Sequence, residues 1–175
     1  GTARFAFNWA LAEWQKEYEA GGKPSEAALR KKLNSIKATE FPWMAEVTKC
    51  APQQAIKNVG TAFQNFFRRV KQGGKPGYPK FKRKGQHDSF RADNGPSDAN
   101  SHAVECIGKT IKLPRCGAVK MREALRFTGR TLSATVSKQA DGWYVTLLVD
   151  TADIMSGPLG GGTVGVDLGL KNLAA

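Results

Sequence analysis

The chain has 175 residues, of which 41% are hydrophobic, so it can bury a core and general disorder is excluded. Its 27 basic and 15 acidic residues give a net charge of +12, which points to a polyanionic partner. No apolar run reaches the roughly 20 residues that a membrane-spanning helix needs. The three cysteines lack CxxC spacing, which argues against a disulfide framework and fits a reducing cytoplasm.

Three helices are predicted in the first part of the chain. Apolar residues recur at helical spacing over residues 3–20, and two glycines end that segment. Ser25 suits the N-cap of a second helix that continues to Ile36. The third helix runs from Pro52 to Val70 before a second pair of glycines. Its broad apolar face predicts three core rings, namely Phe63, Phe66 and Phe67.

Short strands are predicted after a loop near residue 95. An Asp-Gly turn joins the last two runs, which indicates a β-hairpin. Several short antiparallel strands favour a small barrel or sandwich, so the expected fold class is α+β. The strand-like runs are residues 104–107, 110–113, 118–121, 132–137 and 143–149.

The positive charge is concentrated in residues 68–91, the basic segment. It contains nine basic residues against one acidic residue, Asp88, and therefore carries a net charge of +8. Phosphate groups would neutralise such a cluster, and binding would weaken as salt rises. Tyr78 and Phe81 lie between the cations and suit base stacking with an unpaired strand; the alternative is a solvated loop with both rings packed in a core. The basic residues are Arg68, Arg69, Lys71, Lys75, Lys80, Lys82, Arg83, Lys84 and Arg91.

A single carboxylate interrupts an apolar run at residues 163–174. Asp167 lies between two apolar neighbours, and Gly165 and Gly169 leave room beside it for a metal or phosphate. Ribonuclease-H-like nucleases with two metals and actin-like ATPases both use this pattern, and an aspartate that caps a turn would also fit. The long basic sequence before it favours the nuclease. One carboxylate cannot complete a two-metal site.

Ordered sequence blocks along almost the whole chain resemble the TnpB (OrfB) family of transposon-encoded proteins. Residues 3–11 are similar to the opening helix of that family, and residues 165–171 to its first RuvC motif. Between them lie matches to the family's "NFFR", "GxPxFK", "DSFR" and "GWYV" blocks, at residues 65–68, 77–82, 88–91 and 142–145.

The resemblance implies an RNA-guided DNA endonuclease that depends on Mg²⁺ or Mn²⁺ and takes part in transposition. The implied partners are a guide RNA and target double-stranded DNA, with no membrane partner. A DNA-binding helix-turn-helix and a location in the prokaryotic cytoplasm or nucleoid are also implied. Sequence reading would be left to base pairing, while the protein holds the nucleic-acid backbone by shape and charge.

The resemblance also implies an architecture and a set of site residues. Residues 1–85 would form a helical recognition domain, residues 86–156 a wedge-type, OB-like β-barrel, and residues 157–175 a linker and the first strand of a ribonuclease-H-like RuvC domain. Asp167 would be a catalytic metal ligand. Lys49 and Gln53 match positions that read the short motif beside the target, and a lysine and a glutamine there can donate to base edges or phosphate. The basic segment and the barrel would hold the guide RNA and the heteroduplex backbone, and the basic residues, Tyr78 and Phe81 would contact nucleic acid.

The sequence also departs from the family pattern. A first strand before residue 3, the later acidic RuvC motifs and the CxxC zinc element are not found in these 175 residues. We therefore expect an N-terminal piece of a longer protein, with no cleavage activity of its own. A nucleic-acid-binding remnant that does not cleave and an actin-like ATPase fragment are the alternatives.

Overall fold

The computed structural model describes residues 1–94 and 103–151. Helices α1 (Thr2–Glu19), α2 (Glu26–Glu40) and α3 (Cys50–Lys71) come first, with a short 3₁₀ helix (Pro42–Glu46) between α2 and α3. Six strands follow within these described residues, and this order of helices and sheets confirms the α+β class. The strands are β1 (Ser89–Asp93), β2 (Glu105–Ile107), β3 (Thr110–Leu113), β4 (Gly117–Lys120), β5 (Arg130–Lys138) and β6 (Trp143–Asp150).

The ends of the helices follow local sequence signals. The Ser25 hydroxyl accepts a hydrogen bond from the Ala28 N–H at 3.2 Å, which confirms Ser25 as the N-cap of α2. Helix α2 continues four residues beyond Ile36 and ends at Glu40, before Pro42 opens the 3₁₀ helix. Helix α3 begins at Cys50, so Pro52 lies in its first turn, where a missing N–H costs nothing.

The three helices share one hydrophobic core. Leu11, Leu29 and Ile56 are almost fully buried, and the Trp14 ring stacks on Phe63 with centroids 4.5 Å apart. Phe63 is the last buried residue of α3, because the final turns of that helix extend past the core. The prediction that Phe67 is a core residue is therefore wrong: 42% of its surface is exposed.

The six strands form two separate antiparallel sheets. One has the strand order β1-β5-β6 and the other β2-β3-β4. Ala92 and Ala134 of the first sheet share a small core with Val104, Ile111 and Leu113. The expected β-barrel is wrong for residues 1–94 and 103–151, because no strand hydrogen-bonds across from one sheet to the other and closure needs a continuous ladder.

Strand β1 begins inside the basic segment, where the sequence predicted a loop, and ends two residues beyond it. It pairs with β5 from Ser89 opposite Ser137 to Asp93 opposite Ser133, and it contacts α3. It therefore joins the helical part of the chain to the first sheet. The predicted domain boundaries at residues 85 and 156 stay predictions. In the part of the chain that the structure describes, no helix has the length and hydrophobicity to cross a membrane.

Candidate nucleic-acid interface

The residues between α3 and β1, numbers 72–88, form a loop without helix or strand, which we call the basic loop. The Asn8 side chain on α1 holds its centre. Asn8 Nδ2 donates to the Lys82 carbonyl at 3.0 Å, and the Lys82 N–H donates to Asn8 Oδ1 at 2.8 Å. Both backbone groups of Lys82 are thereby satisfied by one amide, which fixes the loop against the helix.

A second anchor holds the end of the basic loop. Arg4 Nη1 donates to Asp88 Oδ1 at 3.1 Å, and the Gly85 N–H donates to Asp88 Oδ2 at 3.1 Å. The side chains of Arg4 and Asp88 are each only 25% exposed. The one acidic residue of the basic segment is therefore occupied in holding the loop on α1. Its negative charge faces a protein arginine instead of an incoming phosphate.

Lys82 is less accessible than its basic neighbours. Its ammonium group lies 4.6 Å from the centroid of the Phe7 ring, and partial burial lowers its pKa below the usual range. The other basic residues of the loop are exposed to solvent, where they can reach a polyanion without displacing protein contacts. These are Lys75, Lys80, Arg83 and Lys84.

The two aromatic residues of the basic loop have different surroundings. The Tyr78 ring packs edge-on against Phe63 at 5.5 Å and Phe66 at 5.4 Å between centroids. It therefore attaches the loop to α3, although 42% of its surface is exposed. Phe81 is 52% exposed and forms no ring contact with the described residues. Of the two, Phe81 is the ring with a face available to a base.

The remaining basic residues of the segment lie on α3 and β1. Arg68, Arg69 and Lys71 form the last turn of α3, where positive charge also stabilises the negative end of the helix dipole. Arg91 on β1 forms an ion pair with Asp93 at 2.6 Å, so its charge is partly neutralised within the protein. The structure thus places the predicted cations around the α3–β1 connection in three different environments, namely the last turn of α3, the basic loop and β1.

Lys49 and Gln53 line a groove of about 900 Å³ between α2, the start of α3 and the sheets. Lys49 occupies the N-cap position of α3, where it makes no side-chain capping hydrogen bond, and it is exposed. Gln53 follows one turn later and is half-buried. The structure therefore places these two predicted contact residues in one concave surface, apart from the exposed cations of the basic loop.

The groove has an excess of positive charge. Arg30, Lys37, Lys49 and Arg115 line it against one carboxylate, Asp93, which pairs with Arg91 outside the lining. Arg30 also pairs at 3.3 Å with Glu26, which lies outside the groove lining. Lys37 donates to Asn34 at 2.9 Å. Phosphate groups would therefore meet an attractive potential along this surface.

Arg115 lies where two cavities meet. It occupies the β3–β4 turn with a φ of 65°, a left-handed conformation that is uncommon for arginine. Besides the groove, it lines a cavity of about 190 Å³ together with Lys82 and Asp88. Its side chain has no hydrogen-bond or ion-pair partner among the described residues. Arg115 thus lies between the basic loop and the groove.

A second concentration of positive charge was not predicted from the sequence. Residues 109–130, the second basic segment, contain seven basic residues against the single acidic residue Glu123, a net charge of +6. Residues 92–175 as a whole hold nine basic and eight acidic residues, so acidic residues before and after this segment hide its charge in the total. A shorter charge window would have found it. The basic residues are Lys109, Lys112, Arg115, Lys120, Arg122, Arg126 and Arg130.

The predicted metal ligand Asp167 lies outside the described residues. Within residues 1–94 and 103–151, no three His, Cys, Asp or Glu side chains come together as a metal site would require. The surfaces described above offer hydrogen-bond donors, positive charge and the exposed aromatic ring of Phe81.

A family model described as a helix-turn-helix domain, from the OrfB proteins of IS605-type elements, matches residues 1–23. That stretch contains α1 and therefore Arg4 and Asn8, the two residues that anchor the basic loop.

Curated relatives match almost the whole chain. A protein of Escherichia coli named RNA-guided DNA endonuclease InsQ is 31% identical over 178 residues, which cover 99% of this chain and 41% of the relative. Two proteins of Mycobacterium tuberculosis, also named RNA-guided DNA endonucleases, are 28% identical over 201 residues, covering 99% of this chain and 43% of each relative. The chain thus spans about two fifths of the length of these relatives. The family model, these relatives and the ordered sequence blocks together support membership of the TnpB (OrfB) family.

Proposed function

We propose that this chain supplies nucleic-acid-binding surfaces of an RNA-guided DNA endonuclease. The observation that carries the proposal is the basic loop, whose exposed cations are held on α1 by the Asn8–Lys82 and Arg4–Asp88 contacts. A loop so anchored loses less conformational freedom when it binds, which favours affinity. The names of the relatives supply the kind of ligand, a guide RNA and a DNA target.

The basic loop is the proposed contact with RNA. Exposed lysines beside the exposed Phe81 ring suit a strand whose phosphates pair with cations while a base stacks on the ring. Lys80, Arg83 and Lys84 would contribute phosphate contacts. Lys82 would contribute mainly through its backbone position, because its side chain lies over Phe7.

The groove that contains Lys49 and Gln53 is the proposed contact with duplex DNA. A glutamine amide can donate to and accept from the edge of a base, whereas a lysine ammonium pairs with phosphate or a guanine. The positive lining would attract the backbone, and the half-buried Gln53 would make the sequence-dependent contact. This arrangement fits recognition of a short motif beside the target.

Cleavage is proposed to depend on Mg²⁺ or Mn²⁺, with Asp167 as one ligand. A metal of this type would activate water and stabilise the leaving oxygen. The described residues contain no group of ligands for such a metal. The proposal does predict that Asp167→Ala leaves the RNA affinity of this chain unchanged, because the RNA contacts lie elsewhere.

The proposal is tested by binding measurements with lysine triple variants. The chain is titrated into a labelled single-stranded RNA and a labelled duplex DNA at several salt concentrations. The loop triple Lys75→Gln, Lys80→Gln and Lys84→Gln removes three exposed charges of the basic loop. The helix triple Lys16→Gln, Lys23→Gln and Lys31→Gln removes three exposed charges elsewhere and serves as the matched control.

We expect the loop triple to bind RNA more weakly than the helix triple and to show a smaller salt dependence. Each lost phosphate contact on a single strand reduces the slope of log affinity against log salt by about 0.7, so three contacts reduce it by about 2. RNA binding that is absent in the unaltered chain, or equal losses in the two triples, would contradict the proposed function.

A further inference from the structure

We infer that Lys82 is a modification site, where the side-chain amine is acylated by small acyl phosphates that enter the cavity beside it. The cavity has a volume of about 190 Å³ and lies between the start of α1, the end of the basic loop and the β3–β4 turn. Lys82 contributes to its wall. The inference concerns a covalent change of the basic loop, and only its effect on RNA binding rests on the proposed function.

The surroundings of Lys82 distinguish it from the neighbouring lysines of the basic loop. Lys80 and Lys84 are exposed, whereas Lys82 is half-buried. Its ammonium group lies 4.6 Å from the centroid of the Phe7 ring, and its backbone is held by two hydrogen bonds with Asn8. The amine is therefore kept against the protein, while the amine of an exposed lysine moves through solvent.

The amine of Lys82 is unprotonated more often than that of an ordinary lysine. Partial burial disfavours the charged form and lowers the pKa of Lys82 below its usual range. Only the neutral amine has a free electron pair and acts as a nucleophile. Lys82 therefore combines a place in a cavity wall with a larger reactive fraction at neutral pH.

The cavity wall also contains a cation for the phosphate of the donor. Arg115 has no hydrogen-bond or ion-pair partner among the described residues. Arg4 and Asp88 line the same cavity but are paired with each other at 3.1 Å. A guanidinium can donate two parallel hydrogen bonds to phosphate oxygens, so Arg115 is the expected phosphate contact. The charged and titratable residues of the wall are Arg4, Glu46, Lys82, His87, Asp88 and Arg115.

An acyl phosphate carries the two kinds of group that this wall suits. Val47, Phe90 and Pro114 contribute apolar surface, against which a short acyl chain can pack. Arg115 contributes the cation for the phosphate at the other end of the same molecule. An acylating reagent without a phosphate, such as acetic anhydride, gains nothing from Arg115, and this difference separates the donor class from simple amine reactivity.

The reaction transfers an acyl group from oxygen to nitrogen. The neutral Lys82 amine attacks the carbonyl carbon of the acyl phosphate, so a C–N bond forms and the C–O bond to phosphate breaks. Inorganic phosphate leaves with the bonding electron pair, and the nitrogen releases one proton to solvent. Arg115 would stabilise the negative charge of the leaving phosphate. The product is a neutral amide, and no oxidant or reductant takes part.

Acylation would loosen the contact between the basic loop and α1. The amide carries no charge, so the attraction between the ammonium group and the Phe7 ring is lost. The hydrogen bonds with Asn8 hold only the backbone of Lys82 and do not restrain its enlarged side chain. We expect the acylated chain to bind RNA about threefold more weakly, as for one lost cation–π contact.

The test measures the acetylation of single lysines in the chain by acetyl phosphate. Mass spectrometry of the digested protein gives the rate at Lys82 and at the exposed Lys80 and Lys84 over a series of pH values. Arg115→Gln removes the proposed phosphate contact, and Arg122→Gln removes an exposed arginine outside the cavity as the matched control. Circular dichroism checks that both variants are folded, and acetic anhydride serves as the donor without a phosphate.

We expect acetyl phosphate to modify Lys82 faster than Lys80 and Lys84, with a difference that shrinks as the pH rises and all lysines become neutral. Arg115→Gln should lower the rate at Lys82 about tenfold with acetyl phosphate, as for one lost charge-assisted contact, but not with acetic anhydride. Equal rates at the three lysines would overturn the modification site. Equal losses in Arg115→Gln and Arg122→Gln, or an equal loss with acetic anhydride, would overturn acyl phosphates as the donor.

The effect on RNA is measured with Lys82→Arg, which keeps the positive charge but cannot form the amide. Treatment with acetyl phosphate should weaken RNA binding more in the unaltered chain than in Lys82→Arg. Equal losses would overturn the effect on RNA binding, while the rates from mass spectrometry decide the modification site. If the untreated chain binds no RNA, the proposed function fails, and the acetylation rates still test Lys82.

Discussion

Asn8 and Lys82 form a reciprocal pair of hydrogen bonds although 74 residues separate them in the chain. The Asn8 amide donates to the carbonyl of Lys82 and accepts from its N–H, as a neighbouring strand would do. An α-helix thereby gives a loop the backbone partners that it lacks. This contact explains how a strongly positive segment keeps a defined shape beside α1 before any ligand is bound.

The substitution Asn8→Ala tests this anchor without changing the net charge. We expect RNA binding to weaken about threefold to tenfold, because losing about 1 kcal/mol of hydrogen bonding releases the loop and adds an ordering cost to binding. Anisotropy titration at constant salt measures the loss. Amide hydrogen exchange of residues 80–88 should become faster in the free protein.

Gln15→Ala on the same helix provides the control, since it also removes a neutral amide. The anchor hypothesis fails if the two variants bind RNA equally well, or if residues 80–88 exchange at the rate of the unaltered protein after Asn8→Ala.

Tyr78 and Phe81 should respond differently to substitution by alanine. Tyr78→Ala removes ring contacts with Phe63 and Phe66 and should lower the free energy of unfolding by about 1–3 kcal/mol. Phe81→Ala should change stability by less than about 0.5 kcal/mol but weaken RNA binding by about 1 kcal/mol or more, since its exposed face is available to a base. Urea unfolding and RNA titration of both variants separate the two roles. Equal effects on stability would contradict the assignment.

Arg4 and Asp88 should be energetically coupled. Their ion pair is three quarters shielded from solvent, and Asp88 also accepts from the Gly85 N–H, so we expect a coupling energy of about 1 kcal/mol. A double-mutant cycle with Arg4→Met and Asp88→Asn, followed by urea unfolding, measures it. Additive losses within about 0.3 kcal/mol would show that the contact contributes little to the loop anchor.

Gln53 should affect the sequence preference for duplex DNA more than the overall affinity. We expect Gln53→Ala to reduce the difference in binding free energy between duplexes that differ at one base pair by about 1–3 kcal/mol, because a glutamine amide can hydrogen-bond to a base edge. Lys49→Ala should weaken all duplexes similarly. Competition binding with a randomised duplex pool measures both effects.

Gln54→Ala is the matched control for this pair, since the neighbouring Gln54 amide donates to Asn58 at 3.0 Å on the exposed side of α3. If the Gln53→Ala and Gln54→Ala variants show the same sequence preference for duplex DNA, the groove is not the surface that recognises the sequence.

Local patterns in the sequence predicted most of the elements. The apolar spacing of α3, the Ser25 cap and the Asp-Gly hairpin between β5 and β6 were all readable, because each depends on residues close together in the chain. Phe67 was misjudged because periodicity shows which side of a helix is apolar but not where the packed neighbours end. The barrel that the described residues do not form was expected for a related reason, since alternation identifies strands without showing which edges pair.

The candidate site was predictable in composition but not in geometry. The charge count located the basic segment, yet it treated Asp88 as one opposing charge, whereas the structure uses Asp88 to hold the loop. No sequence pattern indicated that Asn8 holds the basic loop, because a single amide on a helix is usually exposed to solvent. Its role depends on a contact across 74 residues, which only the tertiary structure reveals.

The most direct test of the account is to map which residues touch RNA. The chain is bound to a single-stranded RNA that contains 4-thiouridine, irradiated and analysed by mass spectrometry of the cross-linked peptides. We predict cross-links within residues 72–88, with Phe81 among the modified residues, and their loss in the loop triple but not in the helix triple. Cross-links that lie elsewhere and leave residues 72–88 unmodified would contradict the claim that the anchored basic loop binds RNA.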